Sequence, residues 1–589
     1  MVPGILIVLL TLSTALGVIG SAFSSTLERS QKEQSLYAAG ADLRVRHSGI
    51  SSSIPGGRFA DRVKGLPHVV DAADVHRANA QITATGFSSP ASVLAVDAKS
   101  MSEVSWYRDD LADGKSMEEI TGLLLGGWEA PPGILLPEDA MGLSIWVQPA
   151  GVDFGANLWA RVRDSRGLFF DTWMGNLGAP GWNKIQSDLS PVIAAGRRSQ
   201  TSEREIDIVP PLSLQSFQIT DRIRSLGSSG LGSIFLGRLE ALTPGGPVTI
   251  ADLTGADGWS AIEDFSRPGL YAVESSNSAA IESVQTSMRF SWASGGVGMR
   301  GLRPGPMEAP LPALVSDGFL EIADASVGDD VILGLSNYSI MVKIIGVINY
   351  FPTMDPNVKP FAVVNLESFE AATNQHSPIP IVGANEIWID LMASSAPGED
   401  GLSPLIERTG GVEEVVDSMK RLGVNVREAY DAGLMVESKV DQPLVNAGWG
   451  ALLVLLFLAV ALASGSGVML FSYLDTKDRQ TEFALLSTLG STSGQLRRIV
   501  WFNLFLIVIC GVSLGTWVGH IIGSSILPLM EVAEAGERVM PPMAFTTDWL
   551  ALGVTYLVLA LVTLGTVLWL AWLNSKIQVQ QVLRMGDAG

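Results

Sequence analysis

The clearest chemical fragment in the sequence is Gly114-Lys115-Ser116, which has the residue types that end a phosphate-binding loop. Such a loop begins with a glycine six residues before the lysine, and its backbone amides surround the phosphate groups. Asp109 occupies the position of that first glycine, so the match fails. The sequence therefore predicts that this chain has no ATPase of its own.

No other residues have the spacing of a catalytic or metal site. The histidines are His47, His68, His76, His376 and His520. None has the i, i+4 spacing around a glutamate that zinc sites use. Carboxylate pairs such as Asp109-Asp110 flank loops or turns, where solvated charge is the ordinary interpretation. The single cysteine, Cys510, excludes an intrachain disulfide and a cysteine metal centre. We therefore expect no enzyme, no cofactor and no metal.

Residues 511–515, Gly-Val-Ser-Leu-Gly, formally match the nucleophile motif of hydrolases. That motif needs a sharp turn between a strand and a helix, whereas here it lies within a long apolar run. The same run contains four glycines at a spacing of four residues: Gly511, Gly515, Gly519 and Gly523. This spacing clears one helix face so that another backbone can approach closely, and it predicts a helix-packing face. His520 beside it is more often packed than functional at such a position.

The elements around these residues belong to a membrane protein with a large water-exposed part. The chain has 589 residues and a formal net charge of −21; 47% of its residues are hydrophobic and 17% are charged. The hydrophobic share is high for a soluble protein, while the charged share is too high for a chain lying wholly in lipid. The negative charge, without a cluster of Lys and Arg, excludes a nucleic-acid surface.

Four apolar segments are long enough to cross a hydrocarbon core of about 30 Å. They lie in residues 1–24, 445–472, 499–527 and 547–573. The first lacks a basic n-region and exceeds the apolar length of a signal peptide, so we interpret it as a retained helix. About 420 residues without a comparable apolar run separate the first span from the second. They form a large water-exposed domain.

Lys and Arg in the short loops predict the orientation of the spans, because cytoplasmic loops keep them in excess. Loop 473–498 has four such residues and tail 574–589 has two, whereas loop 528–546 has three glutamates and one arginine. We therefore predict a multi-pass protein in the lipid membrane with both termini cytoplasmic. The large domain and loop 528–546 are then extracytoplasmic.

The predicted cytoplasmic loop 473–498 contains an amphipathic helix. The apolar residues Phe483, Leu485, Leu486 and Leu489 are spaced three and four apart, which marks one helical face, and Gly490 ends the helix. An apolar stripe that faces the cytoplasm has no core in this chain to cover it. We interpret the loop as a docking element for another protein, with a solvated connector as the alternative.

This loop resembles the signature of the FtsX-like permeases, a family that includes macrolide-exporter and lipoprotein-release permeases. Their pattern is R-x-x-E-I-A-x-L-R-A-L-G. The chain matches it at Arg479, Glu482, Ala484, Leu486, Leu489 and Gly490. Phe483, Ser487 and Thr488 depart from it, which keeps the helix but removes one cation. The family also has one helix, a large external domain and then three helices.

The resemblance implies the permease subunit of an ABC transporter in the bacterial plasma membrane. A separate cytoplasmic ATPase would bind the loop helix in a groove. The loop helix would then transmit the closure of the ATPase to the membrane helices. A second permease copy or a homologous permease would complete the pair, and we expect the glycine face of the third span to contact it. Two outcomes remain open: export or release of a lipid, lipoprotein or peptide, or transmission of force to an external partner.

The external domain is predicted to combine an α+β part with an inserted β-sandwich. Residues 25–140 and 305–440 contain short strands rich in β-branched residues, and the resemblance implies a mixed α+β domain like the periplasmic core of the macrolide-exporter permeases. Residues 412–440 are expected to form a returning stalk. Residues 145–290 alternate apolar and polar positions between turn residues, which is typical of an antiparallel sandwich of jelly-roll type.

Three tryptophans of the predicted sandwich are candidates for an aromatic platform under a sugar ring: Trp159, Trp173 and Trp182. The ordinary interpretation is that they belong to the sandwich core. A platform would support the main alternative function, a membrane-anchored surface receptor or glycan-binding protein. Anchoring alone does not require the apolar stripe of loop 473–498, so the permease interpretation is favoured.

Overall fold

The computed structural model of the chain describes most of its length. The described residues are 2–47, 58–84, 87–131, 133–152, 155–189, 208–220, 230–277, 287–294, 300–336, 338–377, 383–392, 409–440, 443–478, 493–526, 539–565 and 568. The helices are α1 (Val2–Ala39), α2 (Phe59–Val63), α3 (Met101–Val104), α4 (Met117–Leu123), α5 (Asp317–Ala323), α6 (Leu366–His376), α7 (Thr409–Arg421), α8 (Ala432–Val440), α9 (Pro443–Asp478), α10 (Ser493–Ile526) and α11 (Trp549–Gly565).

The strands are β1 (Leu43–His47), β2 (Val69–Ala84), β3 (Phe87–Val96), β4 (Ile134–Leu135), β5 (Gly142–Ala150), β6 (Asn157–Arg163), β7 (Phe169–Asn176), β8 (Asn183–Asp188), β9 (Ser213–Thr220), β10 (Gly232–Thr243), β11 (Gly246–Ala251), β12 (Trp259–Ala261), β13 (Tyr271–Ser276), β14 (Ser287–Trp292), β15 (Arg300–Pro304), β16 (Leu311–Val315), β17 (Asp330–Leu335), β18 (Tyr338–Val347), β19 (Phe361–Asn365), β20 (Glu386–Leu391) and β21 (Val426–Asp431).

The chain divides into two compact units. A helical unit comprises Met1–Ser35 and Val436–Gly589, and a β-rich unit comprises Leu36–Met435. The β-rich unit holds 48 of the 60 acidic residues and 29 of the 39 basic ones. Nearly all of the excess negative charge therefore lies outside the helical unit.

Within the part of the chain that the structure describes, two helical segments are long and apolar enough to cross a membrane, Leu6–Ala39 and Phe505–Ile526. Two further apolar helices, Val454–Leu470 and Trp549–Gly565, lie where the second and fourth spans are predicted. The first of these is part of α9, a helix of 36 residues, but over the described residues each apolar stretch has 17 residues, fewer than the about 20 that a perpendicular span needs. The four-span layout therefore stays a prediction.

The β-rich unit contains a partly closed sheet of nine strands, in the order β17-β18-β16-β19-β3-β2-β20-β1-β21. Strand β17 also pairs with the second half of β2, through Leu333 with Ile82 and Leu335 with Ala80. Six strands thereby close into a barrel: β17, β18, β16, β19, β3 and β2. Strand β2 is 16 residues long, so its first half pairs with β20 in the open part of the sheet. We call this sheet and its helices the barrel lobe.

A β-sandwich is inserted into the barrel lobe. Its two antiparallel sheets have the orders β13-β14-β10-β5-β8, with β11 beside β10, and β12-β15-β9-β6-β7, with β4 beside β9. One apolar cluster fills the space between them, including Ile145, Leu158 and Phe217. The jelly-roll assignment stays a prediction.

The strands of the sandwich extend from Ile134 to Pro304, beyond the predicted limits of 145–290. Strand β4 has only two residues, and every residue of β15 is buried. Neither strand can show the alternation of apolar and polar residues by which a half-buried strand is recognised in sequence. The alternation pattern therefore does not mark the two ends of the insertion.

Candidate functional site

The predicted ATPase-coupling residues lie outside the described residues; they are Arg479, Glu482, Phe483, Ala484, Leu486, Leu489 and Gly490. Helix α9 ends at Asp478 and α10 begins at Ser493. The predicted docking segment is therefore the connection between these two helices. Its role stays a prediction.

Three of the four predicted glycines of α10 pack against α1 of the same chain. If Gly511, Gly515 and Gly519 each carried a Cβ, its nearest α1 neighbours would be Leu10 Cβ at 2.7 Å, Thr14 Cβ at 2.5 Å and Ala15 O at 2.9 Å. All three distances are below the 3.0 Å that real Cβ contacts respect. Only glycine therefore permits this approach of two helices. A Cβ at Gly523 would instead lie 3.2 Å from the ring of Phe545.

Hydroxyl side chains add hydrogen bonds to the packing around α1. Thr11 Oγ1 donates to the carbonyl of Gly511 across the α1–α10 contact, at 3.4 Å. Ser464 Oγ of α9 donates to the carbonyl of Leu9 at 3.1 Å. Helix α1 is thus held by both α9 and α10.

This packing corrects the prediction that the glycine face of α10 contacts a second permease copy. Helix α1 of the same chain covers Gly511, Gly515 and Gly519. A glycine spacing shows that some helix approaches closely, but not which helix does so. The small residues Thr11 and Ala15, also four apart, are the matching signal on α1 that could have identified it.

The histidine of α10 makes a packing contact. The rings of His520 and Phe545 meet edge to face, with centroids 5.3 Å apart. Nearby, the hydroxyl groups of Thr516 and Tyr556 are 2.7 Å apart. These contacts within the helical unit favour a structural role for His520.

The last turn of α1, within the β-rich unit, is fixed by the loop before β19. The Tyr37 hydroxyl donates to the carbonyl of Met354 at 2.6 Å, and the Thr353 N–H donates to the carbonyl of Tyr37 at 2.8 Å. Gly40 ends the helix with φ +88°, and a Cβ there would lie 2.7 Å from Thr353 and 2.8 Å from Trp388. Only glycine fits at this helix end.

The chain enters and leaves the β-rich unit at one place. Leu36 and Ala39 of α1 share a small apolar cluster with Ala432, the first residue of α8. The Asp431 carboxylate accepts the N–H groups of Gly433 at 2.8 Å and Leu434 at 3.3 Å, which caps the start of α8. The first and last helical turns of this unit therefore lie side by side.

The fragment Gly114-Lys115-Ser116 forms a helix start. Ser116 Oγ accepts the N–H of Glu119, and the Glu119 carboxylate accepts the N–H of Ser116, which is a capping box for α4. Residues 511–515 lie inside α10, without the turn that a nucleophile needs. Among the described residues, no group of three or more His, Cys, Asp and Glu side chains is placed to hold a metal ion.

A group of buried carboxyl groups lies beside the short helix α2. Burial raises the pKa of Asp74 to about 6 and that of Glu370 to about 8, although Arg58 opposes both shifts. Arg58 Nη1 is 2.9 Å from Asp97 Oδ2, and Asp74 Oδ1 accepts the N–H of Ala60 at 3.2 Å. Arg58 also lies 3.9 Å from Glu367, so one guanidinium faces four carboxyl groups and does not offset the burial of Glu370, which keeps its proton near neutral pH.

Two of the three candidate tryptophans face each other on the surface of the sandwich. Trp159 and Trp173 are register partners on β6 and β7, and Trp173 is 47% exposed. The indole N–H groups donate to Thr220 Oγ1 at 2.9 Å and Asn157 Oδ1 at 3.2 Å, respectively. Trp182 is half-buried, and its indole nitrogen has no hydrogen-bond partner among the described residues. The pair therefore lies outside the sandwich core, contrary to the ordinary interpretation.

Comparison with known families concerns the C-terminal part of the helical unit. Residues 454–579 match the family model described as FtsX-like permease C-terminal. Over these residues the chain is similar to the C-terminal domain of the FtsX-like permeases. The match confirms the resemblance first seen in the loop between α9 and α10, and it includes that loop, all of α10 and α11. No curated protein matches the sequence.

FtsX-like permeases are membrane proteins and components of ABC transporters that work with a cytoplasmic ATPase. The family match and the two membrane-length helical segments among the described residues both agree with a membrane protein of this kind. Such permeases are transporter components and generally not enzymes.

Proposed function

We propose that the chain is the permease subunit of an ABC transporter, which couples ATP hydrolysis by a separate cytoplasmic ATPase to movement of an external domain. The observation that carries this proposal is the family match over residues 454–579. It spans the loop in which sequence alone predicts the docking helix. A permease without a phosphate-binding loop needs its ATPase from another chain.

Contacts within the helical unit support coupling from the loop to α1. The docking segment connects α9 and α10, and both helices contact α1 through Ser464 and Gly515. Because a glycine-lined contact leaves no side chain to compress, α1 would move together with α10. Helix α1 is continuous from Val2 to Ala39, and its last turn belongs to the β-rich unit.

The proposal includes four spans, cytoplasmic termini and a second permease copy or homologous permease. Leu455, Leu462 and Leu470 of α9 remain 60% or more exposed within the described helical unit. Lipid or a second permease would cover them. Since α1 occupies the glycine face, we propose the exposed face of α9 as the alternative contact surface. The work done is export or release of a lipid, lipoprotein or peptide, or transmission of force.

Co-purification tests the coupling role of the loop. The intact chain is purified from its own cells in mild detergent, beside a variant with Phe483→Asp and Leu486→Asp. We expect ATPase activity to accompany the intact chain and to be lost from the variant, because two carboxylates cannot enter an apolar groove. ATPase activity and the protein content of both preparations are the measurements.

A matched control carries the same two charges on the opposite side of the predicted helix, as Thr481→Asp and Thr488→Asp. It should retain the ATPase. If the intact chain brings down no ATPase, the permease proposal is wrong. If both variants retain the ATPase, docking takes place elsewhere.

A second candidate function is glycan binding by an anchored surface protein, and the pair of half-buried Trp159 and exposed Trp173 outside the sandwich core favours it. Their anchored indole N–H groups fix the ring of Trp173 in one orientation, as stacking on a sugar requires. If this function is correct, the intact chain binds to a glycan array and Trp173→Ala loses that binding. Leu231→Ala, at a 70% exposed apolar position of the sandwich, should leave it unchanged. If the intact chain binds to no glycan on the array, this candidate function is eliminated.

A further inference from the structure

The sandwich carries a fully buried ion pair on its outer face. Arg161 on β6 and Asp171 on β7 are register partners, and neither side chain is exposed. Their strand neighbours Ala160 and Val162 belong to the core between the two sheets. Because side chains alternate along a strand, Arg161 and Asp171 point away from that core. Something outside the sandwich must therefore cover them.

The cover is the C-terminal end of α6 in the barrel lobe. Arg161 Nη1 donates to the carbonyl of Ser377 at 2.9 Å and also to the carbonyl of Asn374. Arg161 Nε and Nη2 donate to the two carboxylate oxygens of Asp171, at 2.8 and 3.1 Å. Carbonyls at a helix C-terminus lack partners within the helix and carry negative partial charge. One guanidinium therefore joins a sandwich carboxylate to a helix end of the other lobe.

Neighbouring residues of the same helix end make further contacts with the sandwich and with the chain just after its last strand. Arg303 Nη1 of β15 donates to Gln375 Oε1 at 3.1 Å. His376 Nε2 lies 2.7 Å from Glu308 Oε2, and its ring centroid is 5.1 Å from that of Phe265. The four residues of the helix end are 4 or 5% exposed: Asn374, Gln375, His376 and Ser377.

The two chain segments that connect the sandwich with the barrel lobe are also tied together. The indole N–H of Trp128, before the sandwich, donates to the carbonyl of Ala309, after it, at 3.0 Å. Two covalent connections held at one place would permit rotation about them. The contact of Arg161 with α6 adds a second attachment on the sheet face, which opposes such rotation.

We propose that Arg161 locks the sandwich onto the end of α6, so that sandwich and barrel lobe move as one rigid body. The sandwich is then an extension of the barrel lobe and not a mobile arm. A buried charge must keep its partners, because removing one of them leaves the other uncompensated. The buried contact is therefore either fully formed or broken, whereas an exposed ion pair can lose one partner at little cost. The proposal does not depend on the ATPase or on any substrate.

Distance distributions between two spin labels test the lock in the full chain. Cys510→Ala removes the native thiol, and single cysteines replace Val248 on the sandwich and Val358 on the barrel lobe, which are 46% and 70% exposed. We expect one narrow distance peak. With Arg161→Ala the peak should broaden or split, because the helix-end carbonyls lose their donor.

The control variant is Arg238→Ala, which removes an exposed sandwich ion pair with Asp252 away from the joint. It should keep the narrow peak. If Arg161→Ala does not fold, Arg161→Leu combined with Asp171→Leu removes both charges together, and it should also broaden the peak. A broad or double peak in the labelled protein with Arg161 and Asp171 intact overturns the proposal. So does a folded Arg161 variant whose distance peak is as narrow as that of the parent.

Discussion

At the scale of single residues, the burial of Glu370 has a consequence for pH dependence between acid and neutral pH. Its pKa is about 8 in the folded chain, against 4.5 for an ordinary glutamate. Below pH 4.5 it is protonated in both states, and its stabilising contribution is fully present. As the pH rises towards 8, the unfolded chain ionises first, so the free energy of unfolding falls. Asp74 acts in the same direction at lower pH.

We therefore expect the melting temperature of the β-rich unit in the full chain to fall between pH 5 and pH 8. Glu370→Gln keeps a neutral side chain of the same shape, so the fall should become smaller. Thermal unfolding followed by intrinsic fluorescence across this pH range measures both. Glu413→Gln, at an exposed position of α7, should behave like the parent chain. An unchanged pH slope in Glu370→Gln would contradict the assigned protonation.

Residue patterns predicted some of these roles and could not predict others. The spacing of Gly511, Gly515 and Gly519 was sufficient to predict close helix packing, because the reason for it lies within one helix. Arg161 and Asp171 look like solvated charges on an alternating strand. They are buried only because α6, about 200 residues later in the chain, covers them. No local signal carries that information.

At the scale of elements, the contact between α1 and α10 is the clearest candidate for transmission within the helical unit. Gly515→Val would place side-chain atoms where Thr14 Cβ already stands, so the helices must separate. We expect a loss of about 1–3 kcal/mol, as in overpacked cores, and a lower melting temperature in detergent. If ATPase activity co-purifies with the chain, we also expect Gly515→Val to lower it, because α1 would no longer move together with α10.

The matched control for this prediction is Gly553→Val in α11. A Cβ there meets no described atom within 4 Å, so this variant should melt like the parent chain. If Gly515→Val and the parent chain melt at the same temperature, α1 and α10 are farther apart at Gly515 than in this structure.

At the scale of the whole molecule, the sequence was sufficient to predict the order of parts. An apolar helix, a long polar domain with an inserted β-rich segment, and a closing group of apolar helices follow from composition along the chain. Closure of the barrel could not be predicted, because it depends on pairing Leu333 with Ile82, about 250 residues apart. The cover of the outer sandwich face by α6 could not be predicted for the same reason.

The side-by-side position of Leu36, Ala39 and Ala432 has a consequence for the history of such proteins. A domain whose two ends meet can be inserted between two helices, enlarged or exchanged, without altering the path of either helix. The sandwich, itself inserted into the barrel lobe, has the same arrangement. The hydrogen bond between Trp128 and Ala309 holds together the two chain segments that connect it to that lobe. The chain is thus built as one insertion within another, and each layer can diversify while the permease helices stay the same.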